Sequence, residues 1–388
     1  MPIGRTVARQ MGAASWIRRM FELGRRLRAE RGPDAVFDFT LGNPEIDPPE
    51  VVRQALARVA AESSPGAHAY MPTPGLLPAR RAVASALARR TGLPFTEDHV
   101  LMTVGAAGAI NIALRAMLEP GDEVVLIAPH FVEYRHYVEN YGGVPVVVDT
   151  KADFQLDIDA VERALSPRTR ALLINTPNNP SGAVYRAEEL GRLGELLRGR
   201  RPPVTVISDE PYRALTFGDE PAPEVVTAVE GTVIASSWSK TLAIPGERIG
   251  YLAISPRIEG ARRLAEACAF AMRALGFVNA PALWQRVIAD VLERDPEAAI
   301  DPEPYRAKRD RLVAGLRAAG YDVVEPQGTF YVFPRTPIPD DTTFVEALVE
   351  EGILAVPGSA FGTPGHMRLS LTVPAETIDR ALPGFSRV

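Results

Sequence analysis

TVIASSWSKTLAIPGER, residues 232–248, opens as a strand and closes as something else. Thr232–Ala235 is a short β-branched, apolar run, the pattern of a buried strand. Ser236–Arg248 then supplies, among others, the serine hydroxyls of Ser237 and Ser239, one amine, Lys240, and one guanidinium, Arg248. In open α/β sheets ligands bind outside the carboxyl ends of the strands, so a polar cluster at a strand's end is a candidate site. Upstream, the same kind of run recurs at Glu123–Ala128, Val144–Val148, Ala171–Asn175 and Val204–Ser208, and downstream at Leu252–Ile254. Helical patterns fall between them or ahead of them, at Val51–Ala61, Leu77–Arg90, Ala109–Met117, Asp159–Leu165 and Ala187–Leu197. Strands separated by helices predict an α/β fold, a mostly parallel sheet covered on both faces. From about residue 258 the pattern is mainly helical. The last hundred or so residues mix helices with short strands at Gly328–Phe333 and Met367–Leu371, which predicts a smaller α+β domain.

The chain has 388 residues, enough for two or three domains at about 150 residues each. Its net charge of −5 gives no basic footprint for nucleic acid. No run of about 18 apolar residues predicts a membrane span. Its one cysteine, Cys268, excludes an intrachain disulfide framework and makes the cytoplasm the expected compartment. Five scattered histidines (68, 99, 130, 136 and 366) contain no H-x-x-x-H pair, so no metal site is expected. The arginine-rich N-terminus resembles an amphipathic transit peptide, but the preferred reading is a surface helix with Trp16, Ile17, Met20, Phe21 and Leu27 as its apolar stripe.

Chemistry that needs an amine has three candidates, because only three of the 43 basic residues are lysine. Lys308 lies in the arginine-rich helix YRAKRDRL and Lys151 in the polar loop DTKADFQ, both ordinary surface settings. Lys240 sits among small residues at a strand end, where lost solvation lowers an amine's pKa and makes it a better nucleophile. Ser237–Lys240 also matches the S-x-x-K of penicillin-binding proteins, but Ser208-Asp209-Glu210 replaces S-D-N and K-T-G is absent. Three further segments adjoin predicted strands or helices. SDEPY (208–212) places Asp209 where a carboxylate meets a ligand cation or simply caps a turn. NTPNNPSG (175–182) forms a stiff turn carrying Asn179. TVGAAGA (103–109) is a small-residue entry to a helix, open to an anion at the helix N-terminus.

The order GAAGA, PHFVEY, NTPNNPSG, SDEPY, SSWSK with Arg248, and MRLSL with Arg368 resembles the class I/II aminotransferase family, the fold type I pyridoxal-phosphate (PLP) enzymes. The resemblance runs from Leu41 to Arg368. It implies a seven-stranded large domain at residues 46–284, a small domain at 285–388, and an N-terminal arm at 1–45 that joins the small domain. It further implies a Schiff base on Lys240, Asp209 at the pyridine nitrogen, Tyr212 and Asn179 at O3′, and Phe131 stacked on the ring. Ala106, Ala107, Ser237, Ser239 and Arg248 would hold the phosphate. Tyr70 would reach the neighbouring subunit's phosphate in a homodimer with shared sites. Arg368 would bind the substrate's α-carboxylate, and Gly42 would lie in the segment closing over it. The partners implied are an amino acid and a 2-oxo acid. Ala107 stands where a lysine often meets a second carboxylate, which weakens the expectation of aspartate or glutamate as donor. The same scaffold also serves β-lyases, decarboxylases, oxidases and synthases. A sensor domain fused to a DNA-binding module is disfavoured by the roughly 35 residues ahead of the core and by the acidic charge.

Overall fold

Alternation is what the central sheet is made of. In Glu123–Ala128, Val124 and Leu126 enter one core while Val125 and Ile127 enter another. In Thr169–Asn175, Ala171 and Leu173 pair with the first core, and Leu172 and Ile174 with the second. A period of two with both faces apolar requires a layer on each side. The computed structural model describes residues 2–13, 16–62 and 65–388, and of these the side chains of 12, 13, 16–18 and 21 are outside the description. The sheet has seven strands: β1 (Val100–Thr103), β2 (Glu123–Ala128), β3 (Val144–Asp149), β4 (Thr169–Asn175), β5 (Thr205–Asp209), β6 (Thr232–Ser237) and β7 (Gly250–Ile254). Their order is β1-β7-β6-β5-β4-β2-β3, and only β7 runs antiparallel to its neighbours. β1 and β3 are the edges, and on β3 Val144 and Val147 are exposed.

The helices Gly105–Met117 and Ala261–Ala274 cover one face, and Ile158–Ala164 and Ala187–Leu197 cover the other. Six of the seven strands match the predicted runs within about two residues at each end. The four-residue β1 was not anticipated, and the helix after it begins at Gly105, four residues before the expected Ala109.

A separate core gathers Phe39, Leu312, Leu316, Phe330, Phe344, Leu369 and Phe385. It unites the helices Glu303–Ala318, Asp341–Glu350 and Ala375–Phe385 with two small sheets. The N-terminal segment joins this core: Phe37–Asp38 pairs with Ile353–Leu354, and Met20 and Leu27 are buried in it. The side chains of Trp16, Ile17 and Phe21, the rest of the expected stripe, lie outside the described residues. The expected boundary at 284/285 falls within the helix Ala282–Arg294. That helix buries Trp284, Val287, Ile288 and Val291 against Glu50–Ala61 and Leu77–Thr91, alongside β1 and β7 residues such as Met102 and Ala253. No helix among the described residues is long and apolar enough to cross a membrane.

Ile288→Ala, at a fully buried position of that helix, is expected to lower unfolding stability by about 2–5 kcal/mol in a denaturant titration. A loss below about 1 kcal/mol would mean that the helix is not anchored in this core.

Candidate active site

The carboxyl ends of β1, β2, β4, β5 and β6 all open on one edge of the sheet, and each delivers a predicted segment there. Asn175 ends β4, Asp209 ends β5 and Ser237 ends β6. Asp209 is in register with Asn175 on one side and Ala235 on the other. The Asn175 amide donates to the Asp209 carbonyl at 2.9 Å, and its Oδ1 accepts the Asn179 backbone N–H at 2.6 Å. The rigid turn is thus stitched to the strand carrying the acid.

Asp209 is buried, and its two oxygens differ. Oδ2 accepts the Tyr134 hydroxyl. Oδ1 is buried with no hydrogen-bond partner. Burial pushes the carboxyl up to about 7; the Tyr134 hydrogen bond opposes the shift and the neighbouring Glu210 adds to it. Lys240 lies in the one-turn helix Trp238–Thr241 directly after β6. Burial lowers its amine to about 8, helped by the positive charges of Arg368 and Arg248. Its Nζ donates to the Gly42 carbonyl at 2.6 Å and sits 5.4 Å from the centre of the Phe330 ring.

The anion side is built from backbone. Gly105 opens the helix Gly105–Met117, so Ala106 and Ala107 belong to its first turn, where N–H groups have no intrahelical acceptor. Gly105 has φ +68°, and a Cβ there would come within 2.8 Å of Arg248 Nη2. The position therefore needs glycine twice, for its left-handed backbone and for the guanidinium's approach. Ser237 and Ser239 are buried, Ser237 at the N-cap and Ser239 within the helix Trp238–Thr241.

Arg368 is buried between the rings of Tyr331 and Phe361, with its guanidinium 4.4 and 4.9 Å from their centres. It donates from Nη1 to Asn179 Oδ1 at 3.1 Å and from Nη2 to the Thr40 carbonyl at 2.6 Å. Gly42 follows on the same segment, where a Cβ would overlap the Tyr331 hydroxyl. Tyr212 is buried with its ring edge-on to Phe330 at 5.5 Å and its hydroxyl 3.5 Å from that of Tyr331. Phe131 is half-buried, 5.6 Å edge-on from Tyr134. The structure thus assembles Lys240, Asp209, Tyr212, Asn179, Arg368 and Gly42 around one cleft, with Phe131, Ser237, Ser239, Ala106, Ala107 and Arg248 at its margin. Tyr70 is the exception: it is 96% exposed, and among the described residues no hydrogen bond or ring contact ties it to the cleft of its own chain. Sequence reading missed Tyr134, Asn175, Thr40 and Tyr331. Tyr134 and Asn175 lay inside quoted motifs, but only the tertiary contact reveals their roles. Among the described residues no group of three or more His, Cys, Asp or Glu could hold a metal ion.

The Asp209 shift has a consequence for the cofactor-free protein. Its native value, about 7, exceeds its unfolded value of 3.8. The stability from the buried neutral acid is therefore full below about pH 4 and is lost as pH rises through 7. Asp209→Asn stays neutral throughout. Its melting temperature is expected to gain on that of the cofactor-free wild type between pH 5 and pH 8; a difference that does not change with pH contradicts the buried-acid reading.

The match extends to other proteins. A family model, aminotransferase class I and II, matches residues 34–385. The aspartate/prephenate aminotransferase of Thermus thermophilus is 36% identical over 356 residues, 90% of each chain. The aspartate aminotransferase of Thermotoga maritima is 33% identical over 374 residues, covering 94% of this chain and 95% of that one. Among solved structures, an aminotransferase from Eubacterium rectale superposes with a TM-score of 0.95 at 35% identity, over 100% of this chain and 98% of that one. Five predicted motifs follow strand ends on one edge of the sheet, a sixth brings Arg368 to them from the smaller core, and the family match covers nearly the whole chain: it belongs to the class I and II aminotransferases, PLP-dependent fold type I enzymes that transfer amino groups.

Proposed function

We propose that this chain moves an amino group between an α-amino acid and a 2-oxo acid, with Lys240 as the covalent anchor and proton carrier and Asp209 as the fixed counter-charge. The observation that carries this reading is the orphaned Asp209 Oδ1. A buried acid with a free oxygen and a carboxyl held near 7 lacks a cation. A protonated ring nitrogen is such a cation, so the residues present fit the cofactor. When bound, PLP supplies an aldehyde that condenses with amines and a ring that takes up the electron pair left when Cα loses its proton.

The chain's own groups then divide the work. Tyr134 fixes Oδ2 and leaves Oδ1 to face the ring nitrogen. Tyr212 and Asn179 would hold O3′, and Phe131 would cover the ring face. The N–H groups of Ala106 and Ala107, the hydroxyls of Ser237 and Ser239 and the Arg248 guanidinium would hold the phosphate, a helix N-terminus supported by a charge-assisted contact. An amine near 8 is partly neutral at physiological pH, so Lys240 could accept the substrate's Cα proton and hold it as an ammonium for delivery. The Gly42 carbonyl, 2.6 Å from Nζ, holds the amine when it is free. Arg368 binds the α-carboxylate. Its present acceptors are neutral oxygens of Asn179 and Thr40, and a carboxylate is the stronger acceptor for a guanidinium fork.

Tyr70 points to assembly. A nearly bare tyrosine with no role in its own cleft suits a homodimer in which it enters the partner's phosphate cup. With a single buried free cysteine, we place the protein in the cytoplasm. Aspartate appears in the names of the Thermus and Thermotoga relatives; here Ala107 offers no charge to a second carboxylate.

Borohydride reduction of the loaded protein is expected to fix the cofactor's mass on the peptide containing Lys240. Lys240→Ala should lose that adduct and more than about a thousandfold in transamination rate. Wild-type turnover by this variant would overturn the assignment. Mixing Lys240→Ala with Tyr70→Ala, each inactive alone, should restore up to about a quarter of wild-type activity through mixed dimers. No recovery, with mixed dimers shown by mass spectrometry, would remove Tyr70 from the partner's site.

A further inference from the structure

One carboxylate at this site has no task in the mechanism. Glu133 immediately precedes the helix Tyr134–Glu139, on the segment that delivers Phe131 and Tyr134 to the cleft. That segment packs inward as a chain of rings, Phe131 to Tyr134 at 5.6 Å and Tyr134 to Tyr137 at 6.5 Å, and Tyr134 holds Asp209. Burial raises the Glu133 carboxyl, and the residue's own backbone N–H opposes that shift. Its Oε2 is buried with no hydrogen-bond partner among the described residues. The positive field of Arg368 reaches this carboxylate. Glu133, Asp209 and Arg248 together set the field at the Tyr137 hydroxyl, so all four belong to one neighbourhood.

A buried acceptor left unsatisfied is costly, and native proteins normally supply a partner for it. Here the open acceptor lies within reach of the field of Arg368, which takes the substrate's α-carboxylate in the reading above. A substrate anchored there by its carboxylate extends its side chain into the same cleft. On the other margin, Ala107 contributes only a methyl group.

We propose that Glu133 selects the amino donor: its open oxygen accepts a hydrogen bond from the donor's side chain. The favoured substrates are amino acids whose side chain ends in an ammonium or amide N–H, and a second carboxylate is disfavoured. This deepens the aminotransferase reading and rests on Arg368 as the α-carboxylate site. The discrimination follows from pairing. A side chain with a donor satisfies the buried oxygen, an aliphatic one leaves it open, and an acidic one brings like charge against it.

Two series on the cofactor-loaded protein test this. In the first, calorimetry compares 5-aminopentanoate, pentanoate and glutarate, which carry a distal ammonium, methyl and carboxylate and have no α-amino group. Wild type is expected to bind 5-aminopentanoate at least about fivefold tighter than pentanoate, and glutarate weakest. Glu133→Gln, close to isosteric, should shrink the first preference and strengthen glutarate. In the second, the amino-transfer half-reaction is followed with ornithine, glutamine, alanine and aspartate. Glu133→Ala should lower kcat/KM for ornithine and glutamine by about tenfold, leave alanine within about threefold, and raise aspartate. An unchanged ligand order in Glu133→Gln, or an equal fall for all four amino acids, overturns the proposal. So does a weakened dimer with an unchanged ligand order, which would assign the open oxygen to a subunit contact. If no amino acid reacts with the wild type, the transamination reading fails, while the binding series still decides the role of Glu133.

Discussion

A buried carboxylate without a cation is the constraint around which this site is organised. Asp209 ends a central strand, so it cannot move toward water without breaking its register with β4 and β6. Its carboxyl is driven up by burial and only partly restrained by one tyrosine hydroxyl. The protein thus holds a group whose charged form is unstable until a positive partner is supplied. Lys240 is the mirror image, an amine lowered by burial and by two guanidinium charges, leaning on a neutral carbonyl. A cofactor that brings a cationic ring nitrogen to the acid and an aldehyde to the amine relieves both. Such preorganised charges act on a barrier without further reorganisation and are commonly worth several kcal/mol there.

The fold makes this tension affordable by separating the load. The sheet and its two helical layers bury apolar side chains on both faces, far from the polar edge. The edge itself is reached from two directions. Strand ends deliver Asp209, Asn175 and the lysine turn; the other core delivers Tyr331, Phe330 and Arg368. The segment Thr40–Gly42 lies across the junction, its carbonyls meeting Arg368, Lys240 and, through Leu41, the Thr372 hydroxyl. Lys240 and Arg368 are therefore each held by an oxygen from one short stretch of chain.

Much of this was legible in the sequence, for identifiable reasons. β-branched runs with apolar residues on both faces mark buried strands, and β2 was located to the residue. The motifs after those strands follow from where ligands bind in such sheets. β1 escaped because VLMT is only four residues long and runs into a small-residue turn without a break. The 284/285 boundary landed inside a helix because composition does not tell which core a helix joins. Tyr134 escaped because its hydroxyl meets an acid 75 residues away, a pairing without a local signature. Glu133 differs again. It stood in a quoted motif, but only its unpaired, buried oxygen sets it apart from an ordinary helix-start acid.

The central claim is that Asp209 keeps a cation at the ring nitrogen. The most direct measurement is the 15N chemical shift of ring-labelled cofactor bound to the wild type and to Asp209→Asn at pH 8. The account predicts a protonated nitrogen in the wild type and an unprotonated one in the variant. The same shift in both proteins would contradict it.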